Sequence, residues 1–220
     1  MTHRLSPERK EIDHRTIKLM VGLIALTLPF LTSWSATTPL ASISAAYHEG
    51  GWSETLFVGC LFAIAAFLAA YNGYSTREMV LSKVAAAAAL GIALFPCRCG
   101  THSELLVNAH SVAASVLFLI LAFFCLEFGR RAWEKQHPQA KLRAGIYAIC
   151  GCLILLAIGL VAIDAWRDGF LSARIPRLTF YGETLALLAF GVSWLTASRV
   201  LPVLTRRDER FSPLSDSPPD

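Results

Sequence analysis

Six apolar runs, each 18 to 24 residues long, fill most of the chain between Ile17 and Leu201. They are Ile17–Ser35, Ser53–Tyr71, Met79–Pro96, Leu105–Phe128, Ala144–Trp166 and Thr179–Leu201. A helix needs about 20 apolar residues to cross the hydrocarbon of a bilayer. In lipid every backbone polar group must be satisfied within the protein, which leaves helices and closed barrels as spanning structures. These runs are continuous rather than alternating, so the expected fold is all-α, a polytopic membrane bundle of six transmembrane helices. The third run is the poorest, being short, rich in alanine and close to Lys83. Its small residues suit close packing between membrane helices.

The composition agrees, with 55% hydrophobic and only 16% charged residues. A soluble domain carries closer to a quarter charged residues. The net charge of +4 accompanies no basic stripe interleaved with aromatics, and nucleic acid is not an expected partner. Basic residues instead report orientation. Only Arg98, Arg167, Arg174 and Arg177 of the 20 fall on the side opposite the N-terminus. Cytoplasmic flanks are enriched in Lys and Arg, so both ends are expected in the cytoplasm, in a multi-pass protein of the cytoplasmic membrane. The expected organisation is a cytoplasmic segment over residues 1–16, the six-helix domain over 17–203, and a disordered cytoplasmic tail over 204–220. That tail ends in the Pro, Ser and Asp-rich sequence FSPLSDSPPD. A cleaved signal peptide is the other reading of the first run, although the run exceeds a usual signal core of about 7–15 residues.

Ionisable groups in or beside membrane helices are costly, and their placement carries information. The expected outer side gathers Ser42, Ser44, Tyr47, His48, Glu49 and Glu54, then Cys97, Cys99, His102 and Glu104, then His110 and Ser111. Asp164 closes the fifth run there, and Tyr181 and Glu183 open the sixth. The inner rim offers chiefly Glu127, beside Arg130 and Arg131. Each outer group has an ordinary reading. His48, Glu49 and Glu54 serve as caps or interfacial anchors, Asp164 pairs with Arg167 three residues on, and His110 and Glu183 make interhelical hydrogen bonds. The sharper reading is a zinc site, with His48, His110 and Glu183 as ligands and an open position for water. The metal would then supply a nucleophile at neutral pH. Ser44 and Asp164 are the catalytic candidates, the first polarising a carbonyl and the second acting as base.

Cys97, Cys99 and His102 form a second possible ligand set, with a disulfide or free thiols as the alternative. The single-residue gap between the cysteines is neither a zinc-knuckle nor a thioredoxin spacing. Cys60, Cys125, Cys150 and Cys152 lie within the apolar runs and read as packing residues. The chain has no phosphate loop, dinucleotide fingerprint or nucleophile elbow.

Across residues 40 to 200, the segments SISAAYHEGGWSETLFVGCLFAIAAFLAAYNGY, ALGIALFP, NAHSVAASVLF and YGETLALLAFGVSWL resemble a group of uncharacterised bacterial six-helix membrane proteins. A more distant resemblance is to the alkaline ceramidase and progestin/adiponectin-receptor-like membrane hydrolases. Those proteins hold zinc between Ser, Asp and His residues on separate helices and cleave lipid amides. The resemblance implies comparable parts for Ser44, His48, His110 and Asp164. Seven helices and a terminal HxxxH pair belong to that superfamily; Thr179–Leu201 has no such pair and offers Glu183 instead.

The leading expectation is a zinc-dependent hydrolase of lipid amide or ester bonds at the outer leaflet, with membrane lipids as partners. The alternatives are a transporter of an ion or small molecule, and a non-catalytic assembly or chaperone subunit. A homo-oligomer or a membrane partner subunit remains open.

Overall fold

The computed structural model describes residues 13–98 and 108–211. Every regular element among them is helical: α1 (His14–Ser35), α2 (Ala46–Glu49), α3 (Gly51–Ala70), α4 (Thr76–Leu94), α5 (Ala109–Glu134), α6 (Pro138–Trp166) and α7 (Leu178–Ala197). Two 3₁₀ turns follow, Pro202–Leu204 and Arg207–Glu209. The helices α1, α3, α5, α6 and α7 are long and apolar enough to cross a membrane. The chain is therefore read as a multi-pass membrane protein.

The six long helices close into a ring. Each packs on its neighbour in the order α1, α3, α4, α5, α6, α7, and α7 returns to α1. Helix α7 also touches α5 across the ring. The return contact depends on glycine. A Cβ added at Gly191 would stand 2.9 Å from the Gly22 carbonyl oxygen and 2.6 Å from Leu26 Cγ, so the two backbones approach with no side chain between them. Small residues play this part between membrane helices, where close van der Waals packing drives association.

Helix α4 differs from the other long helices because its first half holds Arg77, Glu78 and Lys83. Ser75 caps it, accepting from the Glu78 amide at 3.2 Å. Lys83 folds back to the end of α3, where its ammonium donates to the carbonyls of Ala69 and Tyr71 and to the Asn72 side chain. Those carbonyls are left without partners by the end of a helix, so one cation and one helix terminus satisfy each other. Beyond Lys83 the helix is uncharged and buries Ala85, Ala86, Ala88 and Ala89 against its neighbours.

Helix ends differ from the apolar runs in a systematic way. Helix α5 continues past Phe128 to Glu134, and α6 starts at Pro138 rather than near residue 144. Arg130 bridges Glu127 and Glu134 one turn away on either side, and a proline opens α6 behind the His137 cap. Local pairing and capping extend both helices beyond the hydrocarbon-length run.

Trp34, Trp52 and Trp166 project at the end where α1 and α6 finish and α3 begins, and Trp133 projects at the opposite end. Such rims are expected where aromatic rings meet lipid headgroups. Inside the ring, Trp194 is fully buried against Tyr71, Phe124, Phe128 and Phe190, with ring centroids 5.3 to 6.0 Å away. This aromatic block divides the interior into two ends, each with its own cavity.

Candidate functional site

The end remote from the chain termini is organised by the segment between α1 and α2. Four hydrogen bonds pin it to the start of α7. Arg177 Nε donates to the Leu40 carbonyl at 2.7 Å, and the Phe180 amide donates to the Ala41 carbonyl at 3.1 Å. The Ile43 amide then donates to Glu183 Oε2 at 2.5 Å, and Ser44 Oγ donates to Glu183 Oε1 at 2.9 Å. The Phe180 amide is one of the first-turn donors that a helix leaves unsatisfied, and the loop carbonyl fills that need. Glu183 thus holds both of its oxygens on neutral donors. Among the described residues no Lys or Arg lies within ion-pair distance of it.

A cavity of about 530 Å³ opens beside this pair. Its walls come from α5, α6 and α7 and are mostly small or apolar, including Ala114, Phe118, Val161 and Ala186. Its polar groups are Ser42, Ser44, Arg98, His110, Ser111, Ser115, Thr179 and Glu183. A mainly apolar chamber with several convergent polar groups is the usual form of a small-molecule site. His110 is 6% exposed, and its Nδ1 lies 2.8 Å from the Phe95 carbonyl. A carbonyl can only accept, so Nδ1 donates to it.

The remaining sequence candidates go elsewhere. His48 donates from Nε2 to the Cys97 carbonyl at 2.8 Å, which ties α2 to the segment that follows α4. Asp164 does not pair with Arg167. Its Oδ1 accepts from the amides of Leu171 and Ser172 at 2.7 and 3.0 Å and folds the loop after α6. Arg167 instead lies over the Trp166 ring. Glu49 accepts from the amides and hydroxyls of Thr37 and Thr38. The Thr37 hydroxyl first, then these amides, hold its carboxyl below the ordinary range.

So Ser44, His110 and Glu183 share one cavity, while His48 and Asp164 do not line it. Among the described residues no group of three His, Cys, Asp or Glu side chains gathers as metal ligands. His110 and Glu183 are the two candidates that the cavity brings to its walls. Cys97 is buried and disulfide-bonded, whereas Cys60, Cys125, Cys150 and Cys152 are free. Cys99, His102 and Glu104 lie outside the described residues.

The sequence did not single out the opposite end, where a second cavity of about 240 Å³ is lined by Arg15, Lys18, Arg131, Lys135 and Arg199. Arg131 does not stay with Glu127 on its own helix; it forms a two-point ion pair with Glu78 of α4. Glu209 reaches in from the last 3₁₀ turn to Lys135, Arg143 and Arg199. Residues 204–211, expected within a loose tail, are thus held against the bundle through Glu209 and through the Phe211 amide, which donates to the Arg199 carbonyl at 3.1 Å. The one available signal was a pair of acids, Asp208 and Glu209, in a basic stretch, TRRDERF.

Comparison with known protein families, with curated proteins and with solved structures finds no match to this chain.

Proposed function

We propose that this chain is a six-span membrane protein with both termini in the cytoplasm, whose outer-end cavity takes in a lipid-like molecule and hydrolyses an amide or ester bond. The observation that carries this reading is the Ser44–Glu183 hydrogen bond at the mouth of a cavity that also contains His110. A hydroxyl already donating to a carboxylate has its proton acceptor in place. Ser44 Oγ would attack the substrate carbonyl as Glu183 takes the proton, and the departing amine or alcohol would recover it. Water would then resolve the acyl intermediate, with Glu183, having passed its first proton to the leaving group, again as the proton acceptor. The small apolar walls suit an acyl chain entering between α5, α6 and α7.

Zinc activation of water is the alternative chemistry for the same bond cleavage. It needs three protein ligands as a rule, and His110 and Glu183 supply two. Hydrolysis through Ser44 and Glu183 is therefore the preferred form. Asp164, whose carboxylate is engaged by loop amides, is assigned to structure in this proposal. A transport route finds less support, because the aromatic block around Trp194 lies between the two cavities.

The test is turnover of a panel of lipid amides and esters by detergent-purified protein, with Ser44→Ala, Glu183→Gln and His110→Ala alongside. Loss of about a hundredfold or more is expected for Ser44→Ala, within the range for removing a nucleophile or its base. Activity that survives Ser44→Ala but tracks bound zinc, lost in His110→Ala, would replace the serine mechanism with the metal one. No turnover by a folded wild-type protein across the panel would end the hydrolase reading.

A further inference from the structure

The basic cavity at the terminal end has no place in the reading above. Five cationic side chains line it: Arg15 and Lys18 of α1, Arg131 of α5, Lys135 beyond α5, and Arg199 beyond α7. Arg143 stands behind them, fully buried, and donates to the Leu204 carbonyl and to Glu209. Against these six cations the described residues set two carboxylates, Glu78 and Glu209. Glu78 is committed to Arg131, and Glu209 is shared by Lys135, Arg143 and Arg199. Arg15 and Lys18 have no carboxylate within ion-pair distance among the described residues. Arg15 reaches only the Glu209 backbone carbonyl, at 3.4 Å.

Lys18 is the second, independent observation. It is 4% exposed, lines the cavity, and has aromatic faces as its near neighbours: Phe128 at 4.9 Å, Tyr74 at 5.1 Å and Tyr71 at 5.4 Å from its ammonium to the ring centroids. Buried charges are normally paired, because removing a cation from water costs several kcal/mol. Ring faces return about 2 kcal/mol at best. Among the described residues no carboxylate completes the charge balance around Arg15 and Lys18.

We infer that this cavity binds a phosphate group, held by Arg15, Lys18, Lys135 and Arg199 with Arg131 at its edge. The volume is below the roughly 300–1,000 Å³ of sites for drug-sized molecules, and suits one compact tetrahedral anion. Arginine forks match phosphate oxygens in pairs, and lysine adds a point charge. The cavity lies at the end of the long helices that carries the chain beyond α7, and lipid headgroups meet a membrane bundle at its helix ends. Basic pockets of this kind between membrane helices bind anionic headgroups. The phosphate can therefore belong to an anionic phospholipid or to a soluble phosphate compound, and the experiment separates these sources.

Full-length protein in a neutral detergent is titrated in parallel with inorganic phosphate and with phosphatidylglycerol in mixed micelles. Phosphatidylcholine and sodium chloride serve as matched controls, and thermal unfolding and native mass spectrometry report binding. Lys18→Met and Arg15→Gln are the variants; the first keeps the bulk of the side chain while removing a buried charge, and is expected to fold. Stabilisation of wild type, weakened about tenfold or more in both variants, supports the site, as expected for loss of a charge-assisted hydrogen bond. An effect from phosphatidylglycerol alone identifies a lipid headgroup, and one from inorganic phosphate identifies a soluble ligand. No stabilisation beyond the chloride and phosphatidylcholine controls, or equal stabilisation of both variants, overturns the proposal.

Discussion

Two glutamates show how far a single residue's role can be read from its neighbours in sequence. Glu183 stands out because it interrupts an apolar run, and the structure gives it a cavity and two neutral donors. His110 stands out for the same reason and lines the same chamber. That both face one cavity with Ser44 was not legible, since the three come from α5, α7 and a loop whose path is set by Arg177 and Phe180. Asp164 was equally conspicuous, yet its oxygen serves the loop amides. Glu209 was hidden by a polar, Pro-rich context. Burial alone would raise its carboxyl, but the hydrogen bond from Lys135 and the charges of Arg199, Lys135 and Arg143 outweigh it and hold the group at about 2. A carboxyl held below its ordinary value near 4.5 stabilises the fold above that pH, and the contribution disappears as pH falls towards 2. Thermal unfolding of the detergent-purified protein should therefore lose several degrees across that window. Glu209→Gln should be less stable at pH 7 and show a flatter acid limb; an unchanged limb would remove Glu209 from the network.

At the level of helices, the apolar runs located all six long elements, because hydrocarbon length and hydropathy act on contiguous residues. Their ends were less legible. Asp13 caps α1, Lys83 closes the end of α3 from the next helix, and His137 starts α6. Such caps lie in the polar sequence that a hydropathy reading discards. The short α2 escaped notice because four residues cannot display a period. Packing between helices is set by single small positions that no window average reveals. Gly191→Ala places a methyl group within 3 Å of Leu26 and of the Gly22 carbonyl. It should cost about 1–3 kcal/mol through overpacking, read as a lowered unfolding temperature. Gly145→Ala, where the added carbon meets nothing within 4 Å, is the matched control and should be neutral or slightly stabilising through helix propensity. Equal stability of the two variants would contradict the close α1–α7 crossing.

The molecule as a whole has two chemically unlike ends separated by an aromatic block. One is a small-residue chamber with Ser, His and Glu; the other is a cationic pocket clasped by the chain beyond α7. The skew of basic residues set an expected orientation, but the pocket they build was not legible, because it draws on α1, α5, α6 and the last 3₁₀ turn together. Sidedness is checked with a reporter enzyme active only outside the cytoplasm, fused in turn after Tyr74, Arg98, Gln136 and Asp168. The expected pattern is inactive, active, inactive, active. The same result after Tyr74 and Arg98 would mean that α4 does not cross. Ring closure also has a consequence for synthesis. The face of α1 that carries Gly22 is completed by α7, which leaves the ribosome after the other five long helices. Helix α1 must wait in the bilayer, half covered, until α7 arrives, so a chain stalled before Leu178 would present that glycine face to any neighbouring helix and invite degradation or mispairing.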